Sequence, residues 1–154
     1  MKNKKKLYDI VKYPDPILSR NDFEKITDFN SDWLITLVSD MVYTTNRVRG
    51  MGLAAPQIAL PLQLAICIID KQPVALINPE VVAHADEHVS IEEGCLSLPT
   101  KAVRIPRWYW VEVAYDTLKG KRTIKRFEGT NAIVVQHELD HLKGKVITDY
   151  EEKL

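Results

Sequence analysis

Two histidines four residues apart, His137 and His141, stand with Glu138 in the run Gln136-His137-Glu138-Leu139-Asp140-His141. On a helix, residues four apart share one face, so the two imidazoles converge on one ion and the glutamate reaches a water beside it. This set supports metal-assisted hydrolysis: a divalent metal lowers the pKa of water to about 7, and a neighbouring carboxylate takes the proton as that water attacks a carbonyl. At ordinary residue frequencies the pattern arises by chance in a chain of this size on the order of once in several hundred sequences. The plain alternative is a helix whose histidines are only solvated or hydrogen-bonded. A second pair four apart, His84 and His88, lies among Ala83, Asp86 and Glu87 without helical periodicity and reads as a solvated loop.

A catalytic metal with two histidines lacks a third protein ligand. Cys95, in Glu92-Glu93-Gly94-Cys95-Leu96-Ser97, is the candidate, with Gly94 expected to let the backbone approach the ion closely. A thiolate and two imidazoles suit borderline metals such as Fe(II), Zn(II) or Ni(II). Cys67, in the middle of an apolar run, reads as a small core residue instead.

These groups need elements to hold them. From Ser31 to about Val48 apolar residues recur at helical spacing, with Asn30 or Ser31 as N-cap. Gly50 to Gln57 carries two glycines and a proline and reads as a tight, specially shaped loop. Leu62–Ile69 and Val74–Ile77 read as buried strands. Glu80–Ala83, Val103–Ile105, Trp108–Ala114 and Arg122–Phe127 follow as further strands, with a hairpin tip at Leu118-Lys119-Gly120. A last helix starts with Thr130 as N-cap and stops near Gly144; apolar on most faces at its start, it belongs beneath the sheets. The expected fold is α+β: strand-rich sheets packed around a central helix carrying the His-Glu-x-x-His pattern, with an N-terminal helix.

A chain of 154 residues fits one domain spanning 1–154, large enough for its own core. Its 21 basic residues balance 21 acidic ones, which excludes the global field that draws a protein to nucleic acid or anionic lipid. The basic start Met1 to Lys6 lacks a following apolar stretch, and no run approaches the roughly 18 apolar residues of a spanning helix. The expected location is cytoplasmic, with no membrane and no sequence-specific nucleic acid as partner, and with both thiols reduced.

Gly50 to Gln57, Glu93 to Ser97 and Gln136 to Leu142 resemble, in order, the three signature motifs of the peptide deformylase family. Lys12 to Leu18 and Gly144-Lys145-Val146 resemble that family too, so the likeness spans nearly the whole chain. The resemblance implies a hydrolase that removes the formyl group from the formyl-methionine of nascent polypeptides and releases formate. It places the metal on Cys95, His137 and His141, the catalytic carboxylate on Glu138, and oxyanion stabilisation on the Gln57 side chain and the Leu96 backbone N–H. It implies one divalent ion, Fe(II), with Zn(II), Ni(II) or Co(II) as substitutes, and a transient ribosome contact.

The family holds its peptide as an added strand with methionine in an apolar pocket. The matching positions are Gly50, Met51, Gly52, Ile91, Gly94, Ile133 and Val134; for the apolar ones, core packing reads almost equally well. Glu93 and Arg107 are expected to pair behind Cys95, and Asp140 to orient a ligand histidine. Two departures stand out. No arginine follows the cysteine motif before Arg104, which affects contacts beyond methionine, and the sequence ends at Leu154, where many members continue into a C-terminal helix or tail. A zincin-like metallopeptidase would share the helix but draw a third ligand from Glu151 or Glu152. A metal-binding homologue without turnover would keep the ligands alone.

Overall fold

In the computed structural model, which describes residues 4–151, strands dominate and two α-helices pack against them. Helix α1 spans Asp32–Arg47, followed by strands β1 (Gly52–Ala54), β2 (Leu64–Ile69) and β3 (Gln72–His84). Strands β4 (His88–Cys95), β5 (Leu98–Trp108), β6 (Trp110–Asp116) and β7 (Arg122–Glu128) lead into α2 (Thr130–His141). Single 3-10 turns lie at Pro16–Ser19, Ala55–Ile58 and Ile147–Tyr150. Met1 to Asn3 of the basic start and Glu152 to Leu154 lie outside the described residues.

Five strands form one antiparallel sheet in the order β1-β2-β3-β6-β7, and β4 and β5 pair as a separate ribbon. β2 is covered on both faces, which is why its sequence is a continuous apolar run rather than an alternation. Leu64 and Ile66 pack with Leu34, Leu37 and Met41 of α1, while Cys67, one residue on, packs with Ala132, Val135 and Leu139 of α2. A third cluster, Leu18, Leu98, Ile105, Val146 and Ile147, lies under the β4–β5 ribbon. Helix α2 touches β1, β2 and β7 of the large sheet and β5 of the ribbon. No described helix is long and apolar enough to cross a membrane.

Several local expectations change. Gly129, at φ 59° and ψ −130°, is the N-cap of α2, and Thr130 is its first helical residue. Glycine takes this backbone shape without the steric cost a side chain would bring. The Gly50–Gln57 segment is not all loop, because Gly52 to Ala54 pairs with Cys67 to Ala65. Asn78-Pro79 does not break β3; a register shift between Ile77 and Glu80 absorbs it, with Asn78 at φ 52°. Asn78 accepts the Ile26 N–H and donates to the Ile26 carbonyl and to Asp116. His84 and His88 end β3 and open β4 rather than lying in a loop, and the His84 ring stacks on Trp108 at 3.8 Å.

The ribbon is fastened to α2 by Gln136. Its Oε1 accepts the Trp108 N–H at 3.0 Å and its Nε2 donates to the Trp108 carbonyl at 2.9 Å, so one side chain pairs with a strand as another strand would. Gln136→Met keeps the length but strands two backbone groups. We expect it to lower unfolding free energy by about 2 kcal/mol, read as a lower urea midpoint at unchanged slope.

Candidate functional site

Cys95 ends β4, after a register irregularity that separates Glu93 from Cys95 and turns the thiol toward α2. Two turns of α2 present His137 and His141 with ring centroids 5.0 Å apart, and the His141 Nε2 lies 3.5 Å from Cys95 Sγ. The donor atoms of Cys95, His137 and His141 all lie within 4.8 Å of one another, and among the described residues they form the one such group of three.

Electrostatics fit a cation here. Burial works against protonated His137, but bonding to Cys95 and Glu93 and the charge of Glu138 outweigh it and lift the imidazole pKa to about 10. The same anionic neighbours would attract a metal cation placed at the deprotonated ring. Burial, together with the positive charge of His137 and Arg107, holds His141 well below the usual range, in the neutral form that donates a lone pair to a metal.

The support behind these residues is ionic and buried. Glu93 Oε1 accepts from His137 Nδ1 at 3.0 Å, which leaves the other ring nitrogen to face the cysteine. Arg107 grips both Glu93 oxygens at 2.9 Å and reaches Asp140 Oδ2 at 2.7 Å. Burial favours the protonated acid at Glu93, but the bonds to His137 and Arg107 win and hold its carboxyl below the ordinary value. Asp140 therefore does not orient a histidine as expected. Its Oδ2 meets Arg107 and the Tyr150 hydroxyl instead, and Glu93 is the carboxylate on the imidazole.

Glu138 is buried, and its Oε1 has no hydrogen-bond partner. Burial raises its pKa to about 7 against the opposing charge of His137 and Arg107. A carboxyl poised there exchanges protons readily near neutral pH. Gly52 makes the room: a Cβ added there would lie 2.5 Å from Glu138 Oε2. A Cβ at Gly94, by contrast, would meet no protein atom nearer than 4.0 Å.

Gln57 is equally fixed. The Ala54 N–H donates to its Oε1 at 2.9 Å, and its Nε2 lies 3.2 Å from Ser97 Oγ and 3.8 Å from Cys95 Sγ. Lys12 Nζ donates to the Leu96 carbonyl at 3.2 Å and steadies the turn after Cys95. Neither Ser97 nor Lys12 was expected as part of the site; Ser97 lay inside the cysteine motif, but nothing local marks it as Gln57's partner.

A cavity of about 610 Å³ opens onto Cys95, Gln57, Leu96, His137 and Glu138. Gly50, Met51, Gly52, Ile91, Gly94, Ile133 and Val134 all line it. Met51 and Ile91 are about half exposed, at 54% and 44%, which removes core packing as their explanation. Ile10, Val48 and Pro99 extend the apolar wall, and sequence periodicity gave no hint of them.

The profile of the family described as polypeptide deformylase matches residues 7–154. The chain belongs to that family. It is 38% identical to the peptide deformylase of Heliobacterium modesticaldum over 95% of each chain. It superposes on the crystal structure of peptide deformylase from Thermotoga maritima with a TM-score of 0.91 at 34% identity, covering 96% of this chain and 99% of that one. A Met-Ala-Ser-bound class I type b peptide deformylase from Acinetobacter baumannii gives a TM-score of 0.90 at 29% identity, over 96% and 100% of the chains. The deformylase fold thus accounts for both sheets and both helices, while Glu151, exposed beyond the last turn, stands outside the donor cluster that a peptidase reading would need it to join.

A metal site with one sulfur donor is testable without turnover. Cobalt-loaded protein should show thiolate-to-cobalt absorption in the near ultraviolet at one ion per chain. Cys95→Ala should lose that band; a band that persists would remove Cys95 from the site.

Proposed function

We propose that this deformylase removes the formyl group from formyl-methionyl nascent peptides, as a single catalytic domain over residues 1–154 in the cytoplasm, with transient ribosome contact. The observation that carries the reading is the buried Glu138 carboxyl beside Cys95, His137 and His141, facing an apolar cavity. Those three side chains would hold one divalent ion, Fe(II) as in the family, with Zn(II), Ni(II) or Co(II) as substitutes. When bound, the ion supplies Lewis acidity and acidifies water.

The residues divide the remaining work. Glu138 accepts the proton of the water that attacks the formyl carbon and delivers it to the departing amine, releasing formate. With its pKa near 7, it both takes and returns that proton at little cost. The Gln57 amide, locked by Ala54 and Ser97, and the Leu96 backbone N–H donate to the oxygen that gains charge. Because Gln57 is already fixed, little reorganisation opposes the reaction.

The peptide lies as an added strand along the open edge of β4, near Ile91 and Gly94, and opposite Gly50 to Gly52, with the methionine side chain against Ile133 and Val134. The tripeptide Met-Ala-Ser bound to the Acinetobacter enzyme is the product such a substrate leaves, and it favours a methionyl peptide as the ligand. α2 serves as the central helix, bringing His137 and Glu138 to one wall of the cavity with His141 buried behind them.

Anaerobic Fe(II)-loaded protein should release formate from formyl-Met-Ala-Ser. Glu138→Gln should lower kcat by about a hundred- to ten-thousand-fold while the metal content is unchanged. Undiminished release would contradict the assignment of the base.

A further inference from the structure

The deformylase reading leaves Tyr150 unused, although it ends a continuous chain of short bonds that begins at the candidate ligand His137. The Tyr150 hydroxyl donates to Asp140 Oδ2 at 2.7 Å, and the same oxygen accepts from Arg107 Nη1 at 2.7 Å. Arg107 Nε and Nη2 each donate to Glu93 at 2.9 Å, and Glu93 Oε1 is shared with His137 Nδ1. The Tyr150 ring also stacks toward the guanidinium, with Arg107 Cζ 5.1 Å from its centroid.

We propose that Tyr150 is a positioning residue for the Cys95, His137 and His141 centre, setting through Asp140 and Arg107 how Glu93 holds the His137 ring. The proposal rests on the reading of those three residues as metal ligands. Asp140 Oδ2 divides its acceptor strength between two donors. Without the hydroxyl, the whole charge of that oxygen falls on Arg107 and draws the guanidinium toward α2. Arg107 then neutralises Glu93 less and lies differently against it, and the Glu93 oxygen shared with His137 shifts with it. The imidazole that should face the ion turns or softens as a donor.

The geometry confines Tyr150 to this path. It closes the 3-10 turn Ile147–Tyr150, whose Ile147 and Val146 are buried with Leu98 and Ile105 under the β4–β5 ribbon. The Tyr150 ring packs against the same apolar cluster as Cys95. A tyrosine that only anchored the C-terminal turn would be interchangeable in effect with the apolar anchors beside it, and the test exploits this difference.

Tyr150→Phe removes the hydroxyl and keeps the ring; Val146→Ala loosens the same turn without touching the bonded chain. The probe is the rate at which zinc-loaded protein releases its ion to a chromogenic chelator, with kcat and KM on formyl-Met-Ala-Ser as a second readout. For Tyr150→Phe we expect zinc release about three- to tenfold faster, below the 10- to 100-fold typical of partners bonded directly to a ligand. kcat should fall at unchanged KM, and Val146→Ala should leave the release rate alone. Unchanged release in Tyr150→Phe, or equal acceleration in Val146→Ala, would overturn the proposal. Zinc release is read without formyl substrate, so a failure of the deformylase reading would show as absent formate with the release difference intact.

Discussion

One buried guanidinium holds three elements in a fixed relation. Arg107 comes from β5, its partner Glu93 from β4 and its partner Asp140 from α2, and all its side-chain bonds are 2.7 to 2.9 Å long. Both Arg107 and Glu93 have side chains only 4% exposed. Charges taken out of water to that degree are tolerated only with near-complete pairing, and removing one partner of such a pair typically costs about 3–5 kcal/mol. The constraint is thus directional. The β4–β5 ribbon cannot slide along α2 without unpairing a charge, and Gln136 adds two neutral bonds in the same sense. Cys95 and the histidines come from different elements, yet they share one small volume because this clamp sits directly behind them.

The clamp also divides the acids by role. Glu93 spends its oxygens on Arg107 and His137 and stays ionised, a fixed negative charge that steadies one ring. Glu138, the next residue along the helix from His137, is denied such bonds and rests near neutrality in proton affinity. Two glutamates thus line one cavity, one with its oxygens paired and one with an oxygen left without a partner. Met51, Ile91, Ile133 and Val134 add an apolar lining to the cavity in front of these acids.

Much of this was legible in residues 136 to 141, because helical spacing is set by local geometry and four-residue intervals survive any tertiary context. Cys95 was legible as the candidate third ligand from its thiol and the two-histidine shortfall, whereas the Glu93–Arg107 pair and the cavity residues came through family resemblance, since no local rule links positions that only the fold brings together. The misreadings fall where tertiary contacts choose among local options. Asp140 and Glu93 were both acids near a histidine, and only the placement of Arg107 decided which one bonds the ring. Asn78-Pro79 looked like a strand break, yet Asn78 satisfies Ile26 and Asp116 from a left-handed backbone and lets β3 continue. The need for glycine at Gly52 was not legible locally, because the side chain it makes room for, Glu138, lies 86 positions away in sequence number and one contact away in space.

The central claim is a coordination sphere of one thiolate and two imidazoles, and X-ray absorption at the metal edge of zinc-loaded protein tests it most directly. We expect one sulfur at about 2.3 Å and two imidazole nitrogens at about 2.0–2.1 Å, with a light atom completing the shell. A shell without sulfur, or with fewer than two imidazoles, would contradict it.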